Sequence, residues 1–178
     1  PSFNNLSILS KNISINNLND KIFIMPFSVT ENKESRPFFS SKFYETMDQE
    51  GAAINYFGEI NKLFVDSSKS SKNFLTYSTF GTSLDNLIEE KVVPLPDVIK
   101  IDTDGQELKI LRGSRNLLKK SDSLKIQIEL NEKDIAHFDE SFKILESSGF
   151  IFLKKLRNED YHKNKKFSKV YNYYFEKK

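Results

Sequence analysis

The residues best suited to chemistry lie in the stretch KIDTDGQELKIL, Lys100 to Leu111. Two aspartates, Asp102 and Asp104, flank a threonine, a glycine follows, and Glu107 comes two residues later. The stretch begins where an apolar run changes into a helical pattern, which indicates the carboxyl end of a strand. In open α/β sheets, ligands bind at such ends. Carboxylates placed there could bind a metal ion, act as a nucleophile or move a proton.

Helix capping is a purely structural interpretation of two of these acids. Asp104 would be the N-cap, and Glu107, at the third helical position, would complete a capping box. The helix dipole would favour both charges. Asp102 precedes this cap, at the mouth of the predicted cleft, so a functional role is favoured for it.

An apolar strand followed by Asp-x-Asp is typical of three chemistries. In a phosphatase of the haloacid-dehalogenase type, Asp102 would be the nucleophile and Asp104 the acid or base, but that pattern has Thr where Gln106 stands. In a nucleotide-sugar glycosyltransferase, the two aspartates would hold a divalent metal and its diphosphate. In a methyltransferase, Asp102 would lie beside a sulfonium methyl donor. The acidic turn alone leaves these alternatives open.

Composition restricts the class of protein. The chain has 178 residues, enough for one domain, and sixteen Phe supply much of its core. It has no Cys, which excludes disulfides, thiolate zinc sites and a cysteine nucleophile and suits a reducing compartment. A net charge of only +2 predicts neither nucleic acid nor an acidic membrane as partner. No apolar run or leader directs it to a membrane, so we expect a cytoplasmic protein.

The N-terminal half has one clear element and one irregular region. Helical spacing of apolar residues predicts a helix over residues 2–16, with Ser2 as its N-cap. The apolar run of residues 21–29 predicts a buried strand that Pro26 disturbs near its end. Residues 36–80 are aromatic-rich and are interpreted as an insertion. Short strands are predicted within it, near residues 38–39 and over residues 74–77.

Strands alternate with helices along the C-terminal half, which is typical of an α/β sheet. The strand over residues 97–102 is apolar enough to predict burial on both faces. The last two strands, residues 150–156 and 170–178, are predicted to pair antiparallel at the sheet edge. The other predicted elements are helices over residues 82–90 and 105–118, a strand over residues 123–130, and a helix that starts near Ile135 and is capped by Gly149.

Strand alternation also places polar side chains inside the predicted sheet. Lys100 and Asp102 share one face of their strand, and Gln127 and Glu129 share one face of the next. Because an unpaired ammonium inside a sheet is costly, Lys100 is predicted to meet Glu129 if the two strands are adjacent and parallel. Together with Glu107, these residues would form one polar cluster under the cleft.

The segment DVIKIDTDGQELKILRGSRNLL, residues 97–118, closely resembles the signature of the FkbM family of S-adenosylmethionine-dependent methyltransferases. That signature is a strand ending in Lys-x-Asp, then an acid, Gly, a variable residue and Glu, then a leucine-rich helix with Lys or Arg and Gly. TSLDNL, residues 82–87, is similar to the Thr-x-Leu-Asp element before it, and KIQIEL looks like the following strand, with Glu129 in the acidic position. The matching signature residues are Lys100, Asp102, Asp104, Gly105, Glu107, Leu111 and Gly113.

The resemblance implies a Rossmann-like class I methyltransferase sheet with helices on both faces. It also implies methyl transfer from S-adenosylmethionine to a hydroxyl of a sugar or secondary metabolite, so that the acceptor would be a cytoplasmic small molecule or glycan precursor. Asp102 would lie near the methyl group, and Pro26 and Phe27 near the adenine. Glu107 and Glu129 are the candidate bases, with a divalent metal held by the acidic cluster as the alternative. The candidate catalytic residues are therefore Lys100, Asp102, Glu107 and Glu129.

The start of the chain resembles the segment that follows the second strand of such enzymes. There the family has a ribose-binding acid just before a proline that matches Pro1, so Pro1 and Ser2 are predicted to lie near the cofactor. Such enzymes have a glycine-rich loop after their first strand, but no G-x-G pattern occurs in these 178 residues. We therefore expect this chain to be the C-terminal portion of a longer enzyme, without the first two strands of the sheet.

Two alternatives outside methyl transfer stay open. One is a metal-dependent glycosyltransferase that binds manganese and a nucleotide sugar at Asp102 and Asp104. The other is a non-enzymatic binding module built on the aromatic insertion. The two histidines, His137 and His162, are predicted to be exposed. The basic, aromatic tail is predicted to be a solvated edge hairpin and not an RNA-binding surface.

Overall fold

The computed structural model of the chain describes residues 2–41, 55–57, 74–103, 105–157 and 168–178. The chain divides into two compact units, one of residues 1–28 and 33–81 and one of residues 29–32 and 82–178. The single domain predicted from sequence stays a prediction. The helices of the described residues are α1 (Phe3–Ile15), α2 (Leu84–Glu89), α3 (Glu107–Arg112), α4 (Arg115–Lys120) and α5 (Ile135–Ser147). The strands are β1 (Ser28–Val29), β2 (Glu34–Ser41), β3 (Asn55–Phe57), β4 (Phe74–Thr82), β5 (Val98–Ile101), β6 (Lys125–Asn131), β7 (Phe150–Leu156) and β8 (Val170–Lys177).

The first unit contains α1 and most of a four-stranded sheet with the order β1-β4-β2-β3. The Oγ of Ser2 accepts the N–H of Asn5 at 3.5 Å, which confirms the predicted N-cap and helix. Strand β2 pairs antiparallel with both β3 and β4, which confirms the two short strands predicted in the aromatic region. The ring of Phe3 stacks on that of Tyr77, with centroids 4.3 Å apart.

The buried strand predicted over residues 21–29 is wrong for most of its length. Only Ser28–Val29 is a strand, and 78% of the surface of Phe23 is exposed. Pro26 has no N–H to give to a ladder. An apolar run indicates that a strand is possible, but it does not show whether a neighbour is present to pair with it. The run of residues 21–27 therefore crosses the surface without joining a sheet.

The second unit is built on a sheet with the order β5-β6-β8-β7. Strand β5 is parallel to β6, whereas β8 is antiparallel to both β6 and β7, which confirms the predicted C-terminal antiparallel pair and the α/β class. Alternate residues of β6 are buried, as expected for a sheet with one core face. Helices α3, α4 and α5 contribute apolar side chains to that core. Its fully buried members include Leu111, Leu118, Ile126, Ile128, Leu145 and Phe175.

Burial of β5 on both faces was predicted, and this is wrong. Ile101 is buried and Ile99 packs against the core, but Val98 is 64% exposed and Lys100 is exposed as well. The strand thus has one apolar and one polar face, which its short apolar run could not reveal. In the described part of the second unit, helices pack on the apolar face. The helices on both faces that the family resemblance implies stay a prediction.

The single helix predicted over residues 105–118 is wrong, because the chain forms two short helices that meet at Gly113. The second of them, α4, receives its N-terminal cap from another segment. The carboxylate of Asp85 in α2 accepts the N–H groups of Asn116 at 2.9 Å and Leu117 at 2.8 Å. The helical spacing of the leucines continues through the break between α3 and α4, so apolar periodicity alone predicted one helix.

The remaining helices agree with the predictions. Helix α2 begins after Ser83, whose Oγ accepts the N–H of Asn86 at 3.1 Å. Helix α5 ends just before Gly149, whose φ of +86° is the predicted left-handed cap. His137 is exposed on α5 as predicted, whereas His162 lies outside the described residues. No helix within the described ranges is both long enough and apolar enough to cross a membrane.

Candidate active site

Parallel pairing of β5 and β6 brings the predicted acidic residues to one end of the second unit's sheet. Lys100 is in register with Gln127. Asp102 and Glu129 each come two residues later, so both lie towards the carboxyl ends of their strands. The Nζ of Lys100 lies 2.9 Å from the Oδ2 of Asp102. This pair is accessible, because 58% of the lysine side chain and 39% of the aspartate side chain are exposed.

The charge environment of Lys100 involves both predicted acids. The hydrogen bond to Asp102 and the charge of that carboxylate are the main causes that raise the pKa of Lys100, and the charge of Glu129 raises it further. The direct partner of the ammonium is thus Asp102, while Glu129 acts on it through space. Lys100, Asp102 and Glu129 therefore share one face, and the closest pair is Lys100 with Asp102 where Lys100 with Glu129 was expected. The inclusion of Glu107 in this polar cluster stays a prediction.

Glu107 organises the turn that follows β5. Its Oε1 accepts three hydrogen bonds: from the backbone N–H of Thr103 at 3.0 Å, from the Oγ1 of Thr103 at 2.9 Å and from the N–H of Gly105 at 3.1 Å. Gly105 has a φ of +104°, which a residue with a side chain rarely adopts. The turn therefore requires glycine at this position, and a carboxylate satisfies the amides on both sides of Asp104.

The capping box predicted from Asp104 and Glu107 is wrong. Helix α3 starts at Glu107 itself, and its N-cap is Gln106, whose side chain makes no capping hydrogen bond. The physical reason is the positive φ of Gly105, which keeps this residue in a turn. A capping box would need Gly105 to be the first helical residue. Glu107 still reaches back to amides that precede the helix. Asp104 lies outside the described residues.

The polar face of the sheet continues beyond the predicted cluster. The amide Nε2 of Gln127 donates to the Oδ1 of Asn172 at 2.9 Å, and Tyr174 is in register with Gln127 across β8. The charge of Tyr174 also contributes to the raised pKa of Lys100. Asn172 and Tyr174 were not identified from sequence. Their alternation with buried Tyr173 and Phe175 is the signal that could have placed them on this face.

The residues predicted to bind adenosine belong to the first unit. Ser2 is buried and caps α1, Pro26 is exposed and Phe27 is half-buried. Pro1 lies outside the described residues. The structure thus gives Ser2 a structural role, and the adenosine contacts proposed for these residues stay a prediction.

A metal site is not formed by the described part of the chain, where no group of three or more His, Cys, Asp or Glu side chains is arranged to hold an ion. An open groove of about 610 Å³ does exist in the second unit, between α4 and α5. Its lining includes Arg115, Lys119 and Lys143, and none of the candidate catalytic residues. We therefore locate the candidate site at the carboxyl end of β5 and not in this groove.

An α/β sheet with carboxylates beyond the end of a parallel strand is the architecture of enzymes that bind ligands at that edge. The family described as "Methyltransferase FkbM domain" matches residues 4–152. The chain belongs to the FkbM methyltransferase family.

One curated relative is the hexuronic acid methyltransferase AglP of Haloferax volcanii, which is 34% identical over 68 residues. The match covers 37% of this chain and 28% of that protein, so the chain spans well under half the length of this relative. No solved structure matches the chain.

Proposed function

We propose that this chain takes part in S-adenosylmethionine-dependent methyl transfer to a hydroxyl oxygen, with the site at the carboxyl end of β5. The observation that carries this proposal is the pairing of Lys100 with Asp102 at 2.9 Å in the centre of the FkbM signature, at an accessible sheet edge. The pair presents a fixed carboxylate where α/β enzymes bind their ligands.

The charge at this edge fits a sulfonium cofactor. The carboxylates of Asp102 and Glu129 both act on one ammonium, that of Lys100, so the edge favours a cation. Asp102 is the residue that would hold the cofactor here, because its carboxylate is accessible and oriented by Lys100. When bound, S-adenosylmethionine supplies an electrophilic methyl group on a positively charged sulfur.

The proposed reaction needs a base and alignment. The acceptor hydroxyl attacks the methyl carbon, the carbon–sulfur bond breaks as the carbon–oxygen bond forms, and a carboxylate takes the hydroxyl proton. Glu107 and Glu129 are the two candidates for that carboxylate. Lys100 would keep Asp102 in position while the acceptor binds. No metal is needed for this scheme, although one remains compatible with the acidic turn.

The acceptor class is proposed from the family and from the named relative. The Haloferax protein acts, by its name, on a hexuronic acid, which is a sugar derivative with free hydroxyls. We extend this to a sugar or secondary-metabolite hydroxyl, in a small molecule or a glycan precursor. The cytoplasm is the compartment that the sequence predicts for this reaction.

Isothermal titration of S-adenosylhomocysteine tests the proposal. It is run on the 178-residue chain and on the longest open reading frame that contains it, each with Asp102→Ala and with Asp97→Ala. Asp97 is the matched control, because it precedes the opposite end of the same strand. We expect binding that Asp102→Ala weakens at least tenfold and Asp97→Ala leaves unchanged. Absence of binding in both proteins would contradict the proposal, and manganese with a nucleotide sugar would be the next titration.

A further inference from the structure

We propose that Glu107 is a positioning residue that holds the turn after β5, and therefore Asp102. This inference rests on the proposed function and deepens it, because it gives Glu107 a role in holding the cofactor contact. It is drawn from the hydrogen bonds that the Glu107 carboxylate accepts from Thr103 and Gly105.

Three donors converge on one carboxylate oxygen of Glu107. The Oε1 of Glu107 accepts two N–H groups and one hydroxyl, at 2.9 to 3.1 Å. A carboxylate oxygen has two lone-pair directions, so three donors occupy it fully. Rotating the carboxylate away from the turn would break all three bonds at once.

The donors to Glu107 lie in the turn directly after Asp102. Thr103 directly follows Asp102, and Gly105 has the positive φ on which the turn depends. The bonds to Glu107 thus fix the backbone immediately after Asp102. Lys100 fixes the side chain of Asp102 from the other direction, with 2.9 Å between Nζ and Oδ2. Asp102 is held by its backbone and by its side chain, which is what a preorganised cofactor contact requires.

Solvent can reach the amides that Glu107 holds. Thr103 is exposed and Gly105 is half-buried, so without the carboxylate water could satisfy the two amides. Loss of the carboxylate should therefore loosen the turn without unfolding the unit, because no buried polar group would be left unpaired. The folded variant would then report on positioning alone.

Three variants, each made in the 178-residue chain and in the longest open reading frame that contains it, test this role. Glu107→Gln keeps a carbonyl oxygen in the place of Oε1 and removes the negative charge. Glu107→Ala removes the acceptor. Glu146→Ala, at an exposed glutamate of α5, is the matched control. The readouts are hydrogen exchange of the Thr103 and Gly105 amides by NMR, the dissociation constant of S-adenosylhomocysteine, and Tm.

We expect Glu107→Ala to speed exchange of both amides at least tenfold and to weaken S-adenosylhomocysteine at least tenfold. Glu107→Gln should restore both values to within threefold of wild type, and Glu146→Ala should change neither. The proposal is overturned if Glu107→Ala leaves exchange and binding unchanged, or if it lowers Tm without changing the binding constant. It is equally overturned if Glu107→Gln is as damaging as Glu107→Ala, because the charge would then be what matters.

The two proposals fail in different ways. If the wild type binds no S-adenosylhomocysteine in either protein, the proposed cofactor site fails, and the exchange rates of the two amides alone decide whether Glu107 holds the turn. If the wild type binds and the alanine variant binds equally well, the cofactor site stands and the positioning role falls.

Discussion

Gly113 lies directly against the backbone of Thr30: a β-carbon built on Gly113 would be 2.3 Å from the carbonyl oxygen of Thr30. The same β-carbon would be 3.0 Å from the Cα of Glu31 and 3.0 Å from the Cβ of Ser83. Three segments that are distant in sequence therefore meet at the junction of α3 and α4. The φ of Gly113 is −80°, so the requirement for glycine here is space and not conformation.

Replacement of Gly113 by alanine should be among the most destabilising changes in the second unit. The new methyl group would meet backbone atoms of Thr30 and Glu31 that cannot move aside like a flexible side chain. We expect Gly113→Ala to lower the free energy of unfolding by about 3 kcal/mol, the upper part of the range for overpacking. Urea denaturation followed by circular dichroism measures this loss.

Gly149→Ala is the matched control, because this glycine is required for the opposite reason. Its φ is +86°, while the nearest atom to a β-carbon would be the Cε of Lys177 at an ordinary 3.6 Å. The expected loss is about 1–2 kcal/mol, from the left-handed backbone alone. A smaller loss at Gly113 than at Gly149 would mean that the close approach to Thr30 is relieved at little cost.

Asp85 is expected to stabilise α4 through its cap. Its carboxylate accepts the N–H groups of Asn116 and Leu117, so Asp85→Ala leaves both without an acceptor. The expected loss is about 1–2 kcal/mol of unfolding free energy, as for other N-caps. Asp85→Asn keeps one carbonyl oxygen and should lose less. Thermal unfolding of the three proteins checks this order, and equal Tm values for wild type and Asp85→Ala would rule out the cap.

Apolar periodicity predicted most elements of the fold because it reports which residues face a core. Strand β6 shows this clearly, since Ile126 and Ile128 are buried as the alternation of KIQIEL predicts. Periodicity failed where the structure depends on distant partners. The run of residues 21–27 has no strand to pair with in the described structure, and Gly113, where α3 and α4 meet, lies against the backbone of Thr30. Neither partner can be recognised from the local pattern.

For the candidate site, the sequence predicted which residues share a face better than it predicted which of them are in contact. Strand parity correctly placed Lys100, Asp102 and Glu129 on one face. It could not decide which acid Lys100 would bond to, because that depends on side-chain rotamers beyond the end of β5. Glu107 was predicted at the third position of its helix, but it is the first residue of α3. The start of α3 depends on the positive φ of Gly105. Element boundaries depend on such single backbone angles.

Glu132 should make the second unit sensitive to acid. Hydrogen bonds from Lys155 and from the hydroxyl of Tyr173 hold the pKa of Glu132 below its ordinary value of 4.5. A carboxylate with a lowered pKa contributes stability that is present above the unfolded pKa and is lost as the pH falls through the folded pKa. The Tm of wild type should therefore exceed that of Glu132→Gln by the largest amount near neutral pH. This difference in Tm should shrink below about pH 4.5.

The control for this pH dependence is Glu146→Gln, at an exposed glutamate of α5. Its Tm should follow that of wild type at every pH. Differential scanning calorimetry from about pH 7 to about pH 3 makes the comparison. A Tm difference between wild type and Glu132→Gln that does not change over this range would contradict the role of the ionised Glu132.

Lys177 should stabilise the second unit by capping two helices at once. Its ammonium donates to the carbonyl oxygens of Leu118, at 2.6 Å, and of Ser148, which belong to the C-terminal ends of α4 and α5. Helix carbonyls at that end have no partner within the helix and favour a cation. Lys177→Met keeps the length of the side chain but not its donors, so we expect a loss of about 2 kcal/mol. Lys178→Met, at the exposed neighbour, should have no effect. Urea denaturation of both variants measures the difference, and equal stabilities would show that water replaces the ammonium at both helix ends.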